Sequence, residues 1–416
     1  MEGGLNTSPA ALLVATMDTK GREAQFVAEC LSHQGITVRI LDGGIRGKSP
    51  VPVAISREAV AAAAGMPIEA VRAIGHEGDA LRVMCTGAMA QAQKLFHEGE
   101  IQGIIGLGGS MGTTLGTAVM RCFPVGVPKV MISTMASRDT RAFVGTKDIL
   151  MLHAVCDLIG LNRISRKILR NGALALAGML KHQTAKEPPE LSPLIFLSTL
   201  GTTEACAQQV RSALEDDGYE VVIFHTVGSG GRAMEEILDH EKVAAMIDLS
   251  LHEIADHMFG GDYDAGPERG LAAVRKGIPT VLVPGNIDFL VTGPLEAARL
   301  RFPNRPYHVH NAAITVCRTS RDEMLRIADR LADICRQAEG PLELLIPMGG
   351  FSAFDSEAGP LHDPIARQLF STRVIERLAQ NALIQQFPRH INAPEFAGFI
   401  LQRLKCLTGI PRSDGR

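Results

Sequence analysis

Short apolar runs, each followed by a Gly/Ser/Thr-rich turn and then a helical pattern, recur along this chain and constrain its fold more than any other feature. Strands buried on both faces read as continuous apolar runs, and parallel neighbours need a crossover helix. The recurrence therefore predicts a mainly parallel sheet flanked by helices. The clearest runs are ALLVAT (11–16), ITVRILD (36–42), GIIGLGG (103–109), KVMIST (129–134), LIFLST (194–199), EVVIFHT (220–226), AAMIDLS (244–250), TVLVPG (280–285) and LELLIP (342–347). The fold class is α/β, doubly wound.

At 416 residues the chain exceeds one ordinary core, since domains usually hold about 100–200 residues. A polar stretch between Leu180 and Pro193 carries Pro188 and Pro189 and reads as a linker. The expected organisation is a Rossmann-like phosphate-binding domain over 1–182, a linker over 183–192, a second Rossmann-like domain over 193–416, and a cleft between the two. Both halves open alike, as strand, Thr-containing turn, helix, Gly and strand. After LELLIP, taken as the last strand, the tail from Ser371 reads as largely helical.

Apolar residues make up 46% and charged residues 21%, the balance of a chain that buries a core. A net charge of −3, no Trp and three Tyr leave neither a basic field nor a stacking surface, which argues against a nucleic-acid or membrane-surface partner. The N-terminus has no basic region, and the apolar run at Ala11–Ala15 is too short for a signal segment, so a cytoplasmic location is expected. Eight cysteines without C-x-x-C or zinc-type spacing read as reduced, mostly buried thiols, and no metal-ligand set stands out.

The strongest local signal is the apolar strand that runs into Gly108, Gly109, Ser110, Met111, Gly112, Thr113 and Thr114 and then a helix. Small residues admit an anion to the backbone, and the N–H groups and dipole at a helix start attract phosphate. A Gly-rich turn required only for tight strand-to-helix packing is the competing reading. The segment lacks the Walker A lysine and the G-x-G-x-x-G spacing of dinucleotide sites, which disfavours a nicotinamide oxidoreductase.

Thr16, Asp18, Thr19 and Lys20 end the first strand, where ligands enter open α/β sheets. Lys20 suits phosphate, and Asp18 suits either a helix cap or Mg²⁺ held through water. Ser133 and Thr134 end a third strand at the same edge. In the second half, Gly228, Gly230 and Gly231 open another helix as a second anion-cradle candidate, with Asp248 and Glu253 after the next strand. His308 and His310 share one face of an extended segment and, with Asp248 and Glu253, are candidates for acid/base catalysis.

Taken in order, T-M-D-T-K, G-L-G-G-S-M-G-T-T, V-M-I-S-T-M-A-S, G-L-N-R-I-S-R, G-S-G-G-R-A-M-E-E and H-V-H-N resemble the Tm-one-like ATP-binding family, bacterial relatives of the N-terminal domain of a plant tobamovirus-resistance protein. The resemblance spans nearly the whole chain. It implies two Rossmann-like domains, ATP with Mg²⁺ on the Gly-rich loops, and self-association as a homodimer. Met111 stands where relatives commonly carry a small residue, and Leu251 and His252 replace two hydroxyl positions. Two functions follow as expectations: an ATP-binding sensor or partner-binding module, or a metabolic enzyme whose second domain supplies acid/base residues across the cleft.

Overall fold

The computed structural model describes residues 8–182, 192–378 and 383–409. The chain divides into two compact units, Met1–Glu187 and Pro188–Arg416. Residues 183–191 of the expected linker lie outside the described residues.

The first unit runs β1 (Ala10–Ala15), α1 (Met17–Ser32), β2 (Thr37–Asp42), α2 (Arg57–Ala63), α3 (Ile68–Ala73), α4 (Glu77–His97) and β3 (Gly103–Gly108). It continues with α5 (Ser110–Arg121), β4 (Lys129–Ser133), α6 (Arg141–Val144), β5 (Leu150–His153) and α7 (Arg163–His182). Its five parallel strands lie in the order β2-β1-β3-β4-β5. Every residue of β1 is buried, as a central parallel strand requires. Period-two alternation sends Leu12 and Val14 into a core with α2, α4 and α5, and Ala11, Leu13 and Ala15 into a core with α1 and α7.

A Cβ on Gly108 would sit 2.7 Å from Gly112 Cα, so the pair lets α5 press against the end of β3. The packing explanation of these two glycines therefore holds. Gly109 is different, because its nearest neighbour would be Thr134 Oγ1 at 3.8 Å.

The second unit runs β6 (Leu194–Thr199), α8 (Glu204–Asp216), β7 (Glu220–His225), α9 (Ser229–Ile237), β8 (Val243–Ser250), α10 (His252–Phe259), α11 (Ala272–Arg275) and β9 (Thr280–Gly285). A three-stranded antiparallel sheet follows, built from β10 (Phe289–Thr292), β11 (Tyr307–Val309) and β12 (Thr315–Arg318), with α12 (Leu295–Arg301) inside the insertion. Then come α13 (Arg321–Cys335), β13 (Leu342–Pro347), α14 (Pro364–Leu378), β14 (Ile384–Phe387) and α15 (Pro394–Thr408).

The main sheet of this unit has the order β14-β13-β9-β8-β6-β7, all parallel. Both units thus place their first strand between the second and the third. The tail from Ser371 is largely helical, as the end of α14 and α15, but LELLIP is not the last strand: β14 pairs with β13 through Leu344 and Ile384. Its sequence, IQQF, is half polar and lies at the sheet edge, so it lacks the apolar run that marks a central strand. Among the described residues no helix is long and apolar enough to cross a membrane.

Candidate functional site

In a doubly wound sheet, the loops after the first and third strands diverge to opposite faces and leave a crevice at the carboxyl edge. In the first unit that point lies between β1 and β3. A cavity of about 490 Å³ opens there, lined by Thr16, Asp18, Thr19 and Lys20 after β1 and by Gly109, Ser110, Met111 and Gly112 after β3. Of the candidates from the first unit, these are the ones the fold brings together.

Helix α5 begins at this cavity with Gly109 at its N-cap, no side-chain cap and no acidic residue in its first turn. The first intrahelical backbone bond runs from Thr113 N to Gly109 O at 2.8 Å. The N–H groups of Ser110, Met111 and Gly112 therefore have no acceptor within the helix, and the positive end of its dipole faces the space.

Thr113 turns away from the cavity. Its buried hydroxyl donates to Gly109 O at 2.7 Å and lies 2.6 Å from Ser133 Oγ, which also accepts Met135 N. Thr114 Oγ1 donates to Ser110 O, and Thr134 N bonds Gly108 O. Thr113 and Ser133 thus brace α5 against β4 and are not placed to touch a ligand. Three residues past Ser110, the helical phase turns Thr113 inward.

Asp18 lies inside the first turn of α1, with Thr16 at the N-cap, so it does not cap that helix. Its Oδ2 accepts Arg46 N at 3.3 Å and Gly47 N at 3.1 Å, fastening the loop after β2. Lys20 has non-helical backbone angles (φ −123°, ψ 15°), and its Nζ donates to Leu158 O at 2.6 Å.

The other cavity wall is absent from the sequence reading: Gly43, Ile45, Arg46 and Gly47 after β2, and Val71, Arg72, Ile74, Glu77, Ala80 and Leu81 from α3 and α4. Arg72 Nε donates to Ile45 O at 2.7 Å and joins the two segments. The Gly-rich basic run GGIRGK directly after β2 is the one signal that marks part of this wall. The cavity consequently offers a positive helix end and Lys20 on one side, and Arg46, Arg72 and an apolar surface on the other.

The second unit treats its corresponding edge differently. The N-terminus of α9 is occupied by the chain itself: Glu253 Oε1 accepts Gly228 N at 2.6 Å and Gly231 N at 3.2 Å. A Cβ on Gly231 would lie 1.8 Å from Glu253 Oε2, so the glycine makes room for the carboxylate. Gly228 adopts φ +85°, and a Cβ on Gly230 would lie 1.8 Å from His225 O. Gly228, Gly230 and Gly231 are accordingly an internal cradle, because a buried anion of the protein already fills it.

Glu253 and Asp248 are fully buried and bound to one guanidinium. Arg269 Nε donates to Glu253 at 2.7 Å, Nη1 and Nη2 hold Asp248 at 2.5 and 2.8 Å, and further bonds reach Glu235 and Ser250 O at 3.2 Å. Ser198 Oγ adds a bond to Asp248 at 2.6 Å. With their oxygens engaged this way, Asp248 and Glu253 are structural ions and not free acid/base groups. Burial raises the Glu235 carboxyl above its usual range.

At the β8 and β9 ends, Asn286 (φ +63°) donates to Ser250 Oγ at 2.8 Å and accepts Thr202 Oγ1 at 2.5 Å. His252 packs beside Phe289 and Tyr263, and its buried Nε2 has no partner among the described residues. Burial, then the Arg269 and His225 charges, push it down to about 3, so it is neutral. His308 lies on β11 against Phe354, ring centroids 4.6 Å apart, while His310 lies beyond the strand end and is exposed. Among the described residues no three His, Cys, Asp or Glu side chains gather to hold a metal. Burial pushes the Cys206, Cys317 and Cys335 thiols up to about 12, which makes them poor nucleophiles.

Fold and site together define a two-unit, doubly wound α/β protein with an uncapped helix start facing a cavity in its first unit. Residues 9–185 match the N-terminal domain, and residues 192–408 the C-terminal domain, of the family described as uncharacterised protein family UPF0261. The chain belongs to the UPF0261 family. A UPF0261 protein of Clostridium tetani is 36% identical over 94% of this chain and 97% of its own length. One of Mesorhizobium japonicum is 35% identical over 92% and 96%. The ToMV resistance protein Tm-1(GCR237) of Solanum lycopersicum is 29% identical over 95% of this chain and 55% of that protein. Among solved structures, a UDP-N-acetylglucosamine 2-epimerase, 9% identical, covers 67% of this chain and 79% of its own with a TM-score of 0.25.

Proposed function

We propose that the first unit binds ATP with Mg²⁺ in the cavity between β1 and β3, and that the protein is a cytoplasmic sensor or partner-binding module. The observation that carries this reading is the uncapped start of α5 on a cavity of about 490 Å³ at the strand switch point. The volume falls in the range of small-molecule sites, about 300–1,000 Å³.

The residues fit such a ligand. Phosphate would meet the N–H groups of Ser110, Met111 and Gly112, with Lys20 and Arg46 as counter-charges. The apolar surface of Ile45, Val71, Ile74 and Leu81 suits a purine ring. When bound, Mg²⁺ would offset phosphate charge, and Asp18, beside the Gly-rich loop, is the carboxylate that could hold it through water. Engagement of Asp248 and Glu253 by Arg269 weighs against the enzyme alternative. Dimer formation belongs to the same proposal. In its support, β5 ends the sheet, and Leu150, Val155, Ile159 and Ile164 next to it are exposed.

Calorimetric titration with ATP·Mg tests the reading, run on the wild type and on Ser110→Asp. Ser110 is exposed, so the new carboxylate is tolerated and favours the helix dipole while repelling phosphate. Binding by the wild type and at least about tenfold weaker binding by the variant are expected. A wild type that ignores ATP·Mg, or a variant that binds it equally well, overturns the proposal.

A further inference from the structure

In dinucleotide-binding sheets, the ribose is read by an acid that follows the second strand. Here the residue in that place is Asp42, at the end of β2, and it is withdrawn: it is 3% exposed, and its Oδ1 accepts Met17 N at 3.0 Å and Gly44 N at 2.8 Å. Two other carboxylates line the cavity. Asp18 is the clamp on the loop after β2, through Arg46 N and Gly47 N.

Glu77 is the other. It opens α4, it is exposed at the cavity, and its carboxylate makes no hydrogen bond or ion pair within the described residues. Its place in the chain is informative. A doubly wound unit needs one helix between its second and third strands, yet this chain inserts α2 and α3 before α4 and brings Val71, Ile74 and Glu77 to the wall facing the Gly-rich loop. An unpartnered carboxylate beside an apolar surface is an acceptor for a ligand that donates two adjacent hydroxyls.

Resting on the nucleotide reading above, we propose that Glu77 is a specificity-determining residue that accepts the 2′- and 3′-hydroxyls of a ribose, in the role from which Asp42 is withdrawn, so that the site selects ribonucleotides over deoxyribonucleotides. The phosphate end and the sugar end are then read by different segments: α5 with the β1 loop on one side, and the α3–α4 wall on the other.

Calorimetry of the full chain with ATP·Mg, 2′-deoxy-ATP·Mg and inorganic tripolyphosphate·Mg, on the wild type, Glu77→Ala and Glu77→Gln, separates the two ends. Circular dichroism melts verify folding of each variant. The wild type should prefer ATP over 2′-deoxy-ATP by about tenfold or more, the factor carried by one hydrogen bond to a charged group. Glu77→Ala should lose that preference while keeping its affinity for tripolyphosphate, with Glu77→Gln in between. A role for Glu77 confined to the α4 dipole would move the melts and leave the ATP preference intact, which overturns the inference. Equal binding of ATP and 2′-deoxy-ATP by the wild type also overturns it and leaves the nucleotide reading standing. Failure of all three probes to bind ends both.

Discussion

Arg269→Met is expected to lower the stability of the second unit by about 3–5 kcal/mol, because it leaves Asp248, Glu253 and Glu235 without the cation that lets them be buried. All five guanidinium N–H groups have acceptors: Glu253 on Nε, Asp248 and Glu235 on Nη1, Asp248 and Ser250 O on Nη2. Methionine supplies similar volume but none of these donors, and the orphaned carboxylates must either take up protons or open the structure. Arg269→Lys should recover only part of the loss, since a point charge cannot serve a planar set of acceptors. Urea unfolding followed by circular dichroism reads both variants, the chain having no Trp. A midpoint for Arg269→Met equal to that of the wild type would show that the ion cluster is dispensable.

The second large effect concerns pH. Asp288 follows β9, fully buried, with Ser352 Oγ donating to it at 2.6 Å and Arg318 Nη1 at 3.5 Å. Burial first, then the neighbouring Asp355 charge, push its carboxyl up to about 7. An acid whose pKa is higher folded than unfolded contributes stability that is fully present below about pH 4 and is lost as pH rises through about 7. For Asp288 the loss is on the order of 4 kcal/mol. Asp288→Asn keeps an oxygen for Ser352 and removes the ionisation, so its stability should decline less than that of the wild type between pH 5 and 8. Parallel urea midpoints across that range would refute this assignment. His252 acts in the opposite sense: held neutral at about 3, it favours the fold above about pH 6.5 and costs stability as pH falls.

Each of the nine apolar runs forms a strand: seven lie inside the sheets, where burial on both faces demands continuous apolar sequence, while β2 and β7 are partly buried edge strands. β5, β10, β11, β12 and β14 are three or four residues long and owe their strand conformation to pairing, which leaves little local trace. The Gly109–Gly112 turn and the Thr16–Lys20 segment are legible because small and hydroxyl residues after an apolar run mark a ligand edge. Glu77 and Arg72 are not, since only the packing of α3 and α4 brings them to the cavity. Asp248 and Glu253 look like free acids in the sequence because their partner, Arg269, lies 21 and 16 residues away in an unremarkable GPERG segment.

The Glu253 carboxylate at the start of α9 amounts to a counter-anion built into the polypeptide, one that dilution cannot remove. Its helix start therefore has no free-energy link to solute concentration. The bare start of α5 has one: a ligand present at a hundred times its dissociation constant stabilises the state that binds it by about 2.7 kcal/mol. Amide exchange should accordingly slow around α5 as ATP·Mg is added and stay the same around α9, so that the two doubly wound units differ in whether their rigidity reports on the surrounding solution.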